Sequence, residues 1–131
     1  MERLKERLAV AAQALAILNE ALRLENPSTL ERDGAIQRFE YTFETCWKAC
    51  QQYLHTIEGK ECASPKGCLR GMGEVGILTP EETSQSLMMV DDRNRTVHIY
   101  HEKVAREIHS RLPAYSRLME KMLHAIRDRP G

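Results

Sequence analysis

The stretch ERLKERLAVAAQALAILNEALRL, residues 2 to 24, has the clearest structural pattern in the chain. Its apolar residues recur at alternating intervals of four and three, which places them on one face of an α-helix. These residues are Leu4, Leu8, Ala11, Leu15, Leu18 and Leu22. The pair Asn26-Pro27 interrupts the pattern, so we predict a first helix over residues 2 to 24. A long helix with one apolar face has to pack against other elements, which indicates a helical bundle.

Two more segments repeat this spacing. Apolar residues three or four apart predict a second helix over residues 28 to 58, which Gly59 ends. They are Ile36, Phe39, Phe43, Trp47, Cys50, Leu54 and Ile57. A third apolar line predicts a long last helix, which Pro113 bends rather than ends. Its residues are Val104, Ile108, Leu112, Tyr115, Leu118 and Met122.

Proline pairs mark two helix starts between these long helices. Ser-Pro at 64–65 and Thr-Pro at 79–80 each place a capping side chain before a proline at the first helical position. We therefore predict a short helix over 65–75 and a further piece over 80–97. Three glycines inside the first of these pieces each weaken a helix by about 1 kcal/mol relative to alanine. We expect that helix to be short or mobile.

The fold class that follows is all-α. We predict an antiparallel up-and-down bundle of four to five helices, in which the third element is broken into two pieces. No alternating apolar run bounded by hairpin turns suggests a strand. With 131 residues and 42% hydrophobic content, the chain supports one core, so we expect a single domain over residues 1–131.

The composition also suggests a compartment. No run of about 18 apolar residues could span a membrane, and the charged start lacks a signal-peptide layout, so we expect a cytoplasmic protein. The four cysteines should then be reduced thiols, and their spacing is poor for zinc. They are Cys46, Cys50, Cys62 and Cys68. We expect neither a metal site nor a cofactor.

The zero net charge hides an uneven distribution. Residues 1–92 contain 10 lysines and arginines against 15 aspartates and glutamates, whereas residues 93–131 contain 9 against 4. Four of the five histidines also lie in this last segment. A basic C-terminal third suits an anionic ligand such as RNA, or the acidic surface of a partner. A solvated helix face would give the same imbalance.

The basic segment opens with DDRNRTVHIYHE, residues 91–102, where proton-handling and phosphate-binding side chains are concentrated. RNA is cleaved without a metal when its 2′-hydroxyl attacks the adjacent phosphorus while an acid-base group and a cation assist. His98 and Arg93 are the residue types that this reaction needs. Asn94, four residues before His98, would share a helix face with it and could orient the ring. The alternative is a basic helix end that only complements the helix dipole.

Three blocks of sequence resemble one known family. The pattern Arg-x4-His-x-Tyr, formed by Arg93, His98 and Tyr100, is similar to the signature of the HEPN superfamily. The blocks DGAIQRFEYTFETCWKACQQYL, SPKGCLRGMGEVGIL and DDRNRTVHIYHEKVAREIH resemble, in the same order, the bacterial nucleotidyltransferase substrate-binding family. The resemblance covers roughly residues 5–125.

This resemblance implies a function. Members of the family are helical bundles that form homodimers and bind a minimal nucleotidyltransferase encoded beside them. Relatives with the full signature are RNase toxins of toxin-antitoxin pairs, with the motif in a cleft between subunits. The resemblance therefore makes Arg93 and His98 catalytic, whereas the supporting role of Asn94 rests only on its helical spacing from His98. It makes Tyr100 the residue to which the transferase adds AMP.

Two other functions fit the same residues. A non-catalytic subunit could use the motif as a phosphate pocket and present a nucleotide or another substrate to the transferase. A plain dimeric adaptor would explain the bundle but not the motif. On a continuous helix Tyr100 would also point about 160° away from His98. The two share a cleft only if the chain bends near residues 98–101, or if a second subunit brings Tyr100 round.

Overall fold

The computed structural model describes residues 1–129, and this part of the chain folds into α-helices without any β-strand. The helices are α1 (Glu2–Leu22), α2 (Thr29–Thr56), α3 (Pro65–Glu74), α4 (Pro80–Arg95) and α5 (Glu102–Asp128), with a 3-10 turn over Thr96–His98 between the last two. The all-α prediction is therefore confirmed. The observed ends lie within a few residues of the predicted ones, which is the usual precision for helix ends.

Three of the helices have a side-chain cap at their N-terminus. Ser28 and Thr79 each accept a hydrogen bond from a backbone N–H three residues on, and a glutamate there bonds back to the cap, which makes two capping boxes. Ser64 accepts a bond from the N–H of Gly67 in the same way at the start of α3. Because these bonds occupy N–H groups that have no partner inside a helix, they fix where α2, α3 and α4 start.

The three long helices form the frame of the bundle. α1 packs along α2, and α5 packs against both, while α3 lies between α2 and α4 in the broken third element. One cluster of buried apolar side chains runs through all five helices, and within it the rings of Phe39 and Tyr115 stack at 5.7 Å between centroids. α5 continues through Pro113 to Asp128, so this proline does not end the helix.

Two of the three glycines of α3 occur where the helix approaches its neighbours closely. A Cβ at Gly71 would lie 2.9 Å from Leu54 Cδ1 of α2, and one at Gly73 would lie 2.4 Å from Thr83 Oγ1 of α4. A larger residue at either position would have to push its neighbour away. α3 has ten residues and is short, as predicted. Close packing explains the glycines that helix propensity alone disfavours.

The expectation of four reduced cysteines is wrong for one pair. Cys62 and Cys68 form a disulfide, whereas Cys46 and Cys50 are free and buried in α2. The spacing along the chain did not reveal this pair. The segment after α2 turns back onto the second turn of α3, which places the two Cα atoms 5.3 Å apart, within the range for a disulfide.

None of the helices in residues 1–129 has both the length and the apolar character that a membrane span requires.

Candidate functional site

The motif lies where the chain reverses between α4 and α5. α4 ends at Arg95, a 3-10 turn covers Thr96–His98, and α5 begins at Glu102. The buried Thr96 closes this corner by donating its hydroxyl to the carbonyl of Arg93, at 2.7 Å. The N–H of His101 donates to the carbonyl of His98 at 3.0 Å. The chain therefore bends near residues 98–101, which is one of the two conditions under which His98 and Tyr100 can share a cleft.

The bend brings His98 and Tyr100 together on the surface. The Tyr100 hydroxyl lies 3.1 Å from His98 Nδ1, within hydrogen-bond distance, although the two residues are only two apart in the chain. Tyr100 is 73% exposed, and its ring also contacts that of His101 at 4.4 Å between centroids. A phenol beside an imidazole nitrogen can pass its proton to that nitrogen when it reacts. Because Nδ1 faces Tyr100, Nε2 is the nitrogen open to a ligand.

Arg93 and Asn94 lie elsewhere, on α4. They line a cavity of about 510 Å³ whose wall also includes Glu44 of α2 and the side chains of Lys66 and Arg70 from α3. His98 is not part of this wall. Among residues 1–129, His98 bonds to Tyr100, and Asn94 makes no hydrogen bond to it, since α4 ends before the fourth residue after Asn94. His98 therefore lies outside the cavity that Arg93 and Asn94 line.

A buried aspartate fixes α4 to α5 just before the motif. Asp92 is 2% exposed and accepts hydrogen bonds from Arg111 Nε at 2.6 Å, from the Tyr115 hydroxyl at 2.6 Å, and from Arg95 at 3.1 Å. Burial alone would raise the pKa of Asp92, but the hydrogen bonds and charge of these partners outweigh it and lower the pKa. Burial and the bond to Asp92 raise the pKa of Tyr115. The carboxylate therefore stays ionised and holds the end of α4.

Two ion pairs hold the other side of the corner. Arg95 bonds to Glu107 of α5 at 2.9 Å, and the buried Arg32 of α2 bonds to Glu102 at the first position of α5. The hydrogen bond from Arg32 lowers the pKa of Glu102, and the one from Arg95 lowers the pKa of Glu107. The exposed turn that carries His98 and Tyr100 is thus anchored at both ends.

Sequence reasoning missed the residues that support the motif. Asp92, Arg111 and Tyr115 are separated by 19 and 23 positions along the chain, and nothing in a single sequence links them. One signal was available, because Arg111 and Tyr115 are four apart and so share a face of α5. The sequence did not indicate that Arg32 is buried, since an arginine on a helix is usually exposed to solvent.

The site can therefore do two kinds of chemistry. The Arg93 cavity offers cations to an anion, and the His98–Tyr100 pair offers an exposed acid-base group next to a phenol. Within residues 1–129, no group of three or more histidine, cysteine, aspartate or glutamate side chains is arranged to hold a metal ion.

Solved structures similar to this chain share its fold. A crystal structure of a Thermus thermophilus protein is 58% identical, with a TM-score of 0.87 over 89% of this chain and 98% of its own. A Haemophilus influenzae protein, described as showing the fold of a substrate binding domain of a nucleotidyltransferase, is 21% identical with a TM-score of 0.79, over 92% and 99% of the two chains. A crystal structure described as a toxin-antitoxin with AMP-PNP contains a chain 13% identical with a TM-score of 0.70, over 94% and 96%.

The sequence comparisons identify the family. No curated protein sequence matches this chain. The family described as nucleotidyltransferase substrate binding protein like matches residues 6–128, which is nearly the whole chain. The resemblance inferred from the three sequence blocks is thereby confirmed. The chain belongs to the nucleotidyltransferase substrate-binding protein-like family.

Proposed function

We propose that this chain is a metal-independent endoribonuclease of the HEPN type that a minimal nucleotidyltransferase neutralises by adding AMP to Tyr100. The observation that carries this proposal is the Tyr100 hydroxyl, exposed and 3.1 Å from His98 Nδ1 in the turn after Arg93. One corner of the fold then holds both the group needed for cleavage and the group to be modified. The similar fold in a toxin-antitoxin structure with AMP-PNP supports the same pairing.

Cleavage needs a base, an acid and a cation at one phosphate. A histidine takes the proton of the 2′-hydroxyl as its oxygen bonds to phosphorus, the bond to the 5′-oxygen breaks, and that oxygen receives a proton from a second histidine or from water. Arg93 neutralises the phosphate oxygens in the transition state. The products are a 2′,3′-cyclic phosphate and a 5′-hydroxyl.

A second copy of the chain would complete this site. His98 lies outside the cavity that Arg93 lines, and the His98 of a second copy would bring an acid-base group to that cavity. Apolar side chains are exposed on the same corner, with Val97 at 66% and Tyr100 at 73%. An interface at this corner would cover Val97 and bring the motif turns of two copies close together. We therefore propose a homodimer, and a monomer at micromolar concentration in sedimentation would contradict it.

Addition of AMP would stop this reaction directly. The Tyr100 oxygen attacks the α-phosphorus of ATP, pyrophosphate leaves, and His98 takes the phenolic proton. The transferase binds the ATP, because this chain supplies only the acceptor. The new phosphodiester is an anion on the Nδ1 side of His98, where it repels the phosphates of RNA, and the attached nucleoside obstructs access to the ring.

An RNA cleavage assay tests this function. Wild-type protein incubated with RNA and excess chelator should yield fragments that end in 2′,3′-cyclic phosphate. Arg93→Ala and His98→Ala should each lower the rate at least about 100-fold, in line with removal of one catalytic group. Circular dichroism should show unchanged helicity. A folded variant that still cleaves at the wild-type rate would remove that residue from the mechanism.

One observation favours a second candidate. Arg93 lies in a cavity that excludes His98, which suits a non-catalytic subunit that binds a nucleotide or another substrate for the transferase. The family description fits this role as well. If the wild type cleaves no RNA but binds AMP in an Arg93-dependent way, this candidate replaces the first.

A further inference from the structure

The cavity beside Arg93 has a basic wall that the HEPN motif does not explain. It lies between α2, α3 and α4 and has a volume of about 510 Å³, which is large enough for a small ligand. Three cationic side chains line it: Arg93 from α4, with Lys66 and Arg70 from α3. Lys66 and Arg70 lie four residues apart and so share one face of α3.

Most of the positive charge that lines the cavity is not neutralised by ion pairs within residues 1–129. Arg93 Nε is buried and has no hydrogen-bond partner among residues 1–129, which is unfavourable unless a ligand or a water supplies one. Arg70 is exposed and forms no ion pair with any of these residues. Lys66 contacts Asp91 at 2.8 Å, but that pair is largely exposed and therefore weak. An anion that enters the cavity would therefore contact two arginines, Arg70 and Arg93, that form no ion pair with the described residues.

The rest of the cavity lining provides groups of other kinds. Glu44 is the one carboxylate that lines the cavity, and its Oε2 already accepts the indole N–H of Trp47 at 3.1 Å. Asn94 offers both a donor and an acceptor, and the half-buried Pro65 contributes an apolar surface. A ligand that matches this wall has a negative group, hydroxyls and an apolar portion. A nucleoside phosphate has all three.

We propose that Lys66 and Arg70, together with Arg93, form a binding site for the phosphate of a ribonucleotide. This inference rests on the proposed function, because that function makes an RNA strand or a nucleotide the ligand. Arg70 and Arg93 bind the phosphate oxygens through guanidinium hydrogen bonds, and Lys66 adds charge. Glu44 and Asn94 face the sugar.

The surroundings of α3 hold these two cations in place. The disulfide between Cys62 and Cys68 fixes the preceding segment to the second turn of α3. Ser64 caps the first turn, and Gly71 and Gly73 allow close contact with α2 and α4. A binding site gains affinity when its groups are ordered before the ligand arrives.

Binding of uncleavable RNA tests the proposal apart from catalysis. The probe is a short fluorescein-labelled single-stranded RNA with 2′-O-methyl groups, which lacks the attacking hydroxyl, measured by fluorescence anisotropy with chelator present. Arg70→Ala should weaken binding about tenfold, as expected for one lost charged hydrogen bond. It should also reduce the slope of log K against log salt by about 0.7. Lys66→Ala should show a smaller loss of the same kind.

A matched control separates this site from general charge. Arg117 of α5 is also exposed, lies outside the cavity, and forms no ion pair with the described residues. Arg117→Ala should leave the affinity within about twofold of wild type. If Arg70→Ala binds as tightly as wild type, or if both variants weaken binding equally, the cavity is not the phosphate site.

Two further measurements identify the source of the ligand and test the nuclease function and the binding site separately. Titration with AMP shows whether a free nucleotide uses the site, and Arg70-dependent binding of either AMP or RNA supports the inference. Cleavage of ordinary RNA by the wild type and by His98→Ala is recorded in parallel. If binding depends on Arg70 but the wild type cleaves no RNA, the nuclease function alone is overturned. If cleavage depends on His98 but Arg70→Ala affects the binding of neither AMP nor RNA, the binding site alone is overturned.

Discussion

At the scale of single residues, Asp92 determines how the end of α4 meets α5. It accepts bonds from Arg111, Tyr115 and Arg95, and it directly precedes Arg93. Hydrogen bonds to a buried charge contribute more than those between neutral groups. Asp92 touches no substrate in this account. It acts by holding the helix end from which Arg93 and the His98 turn project.

We expect Asp92→Asn to lower the free energy of unfolding by about 2–3 kcal/mol at neutral pH, because Arg111 and Tyr115 lose a charged partner. The folded-state pKa of Asp92 is lowered, so its contribution is fully present above the unfolded value near 4 and is lost as pH falls through the folded value. The difference between wild type and variant should therefore shrink on acidification. Urea denaturation at several pH values measures it.

Asp91→Asn provides the control, since Asp91 is the neighbouring aspartate and is exposed in its pair with Lys66. Its change should stay within about 0.5 kcal/mol. Equal effects of the two substitutions would mean that the buried network contributes nothing specific.

Tyr100→Phe removes the hydroxyl and leaves the ring. We expect the variant to accept no AMP when it is incubated with a minimal nucleotidyltransferase, ATP and Mg²⁺, while wild type gains one or more AMP units by intact-mass spectrometry. RNA cleavage should stay within about tenfold of wild type, since His98 keeps its open nitrogen. Tyr41, which is also exposed at 58%, is the control, and Tyr41→Phe should still be modified. AMP on the Tyr100→Phe variant would assign the acceptor elsewhere.

At the scale of elements, α3 depends on close contacts rather than on helix propensity. A Cβ at Gly73 would meet Thr83 Oγ1 at 2.4 Å, and that hydroxyl already bonds to the carbonyl of Thr79. We expect Gly73→Ala to destabilise the protein by about 1–3 kcal/mol in spite of alanine's better helix propensity. Combining it with Thr83→Ala should remove most of that penalty.

Gly34 is the matched control because it lies inside α2, and a Cβ there would meet nothing within 4 Å. Gly34→Ala should stabilise the protein by about 0.5–1 kcal/mol. Thermal denaturation of the three variants decides between the explanations. If Gly73→Ala stabilises as Gly34→Ala does, α3 is not closely packed against α4.

The disulfide is the second support of α3. Cys62 and Cys68 are six residues apart, and closing so short a loop in the unfolded chain is worth about 2 kcal/mol. We expect Cys62→Ser to lower stability by about this amount. A reducing agent should lower the melting temperature of wild type and leave that of the variant unchanged. Equal melting temperatures for wild type with and without reductant would show that the bond contributes no stability.

At the scale of the whole molecule, the repeating apolar pattern was enough to predict the bundle. The apolar residues from Leu4 to Leu22, and those of the two later long helices, form the faces that pack into the core, because burial of apolar area drives helix packing. Capping pairs such as Thr79-Pro80 located the breaks. These signals are local in sequence, and a single sequence contains them in full.

The site was only partly predictable for the opposite reason. The sequence indicated the motif and the need for a bend, but contacts between distant positions decide the geometry. Asp92 meets Tyr115 across 23 residues, and Arg32 meets Glu102 across 70. The Cys62–Cys68 bond and the Lys66–Arg70 wall likewise depend on how α3 folds back. Such contacts have no periodic signature.

The cleavage rate of the AMP-modified protein shows whether modification of Tyr100 neutralises the nuclease. Wild type is modified by the transferase with ATP, purified, and compared with the unmodified protein on the same RNA in the presence of chelator. We expect the unmodified protein to cleave the RNA. Modification at Tyr100 should lower the cleavage rate at least about 100-fold by blocking His98. Equal rates for the two forms, or no cleavage by the unmodified form, would contradict it.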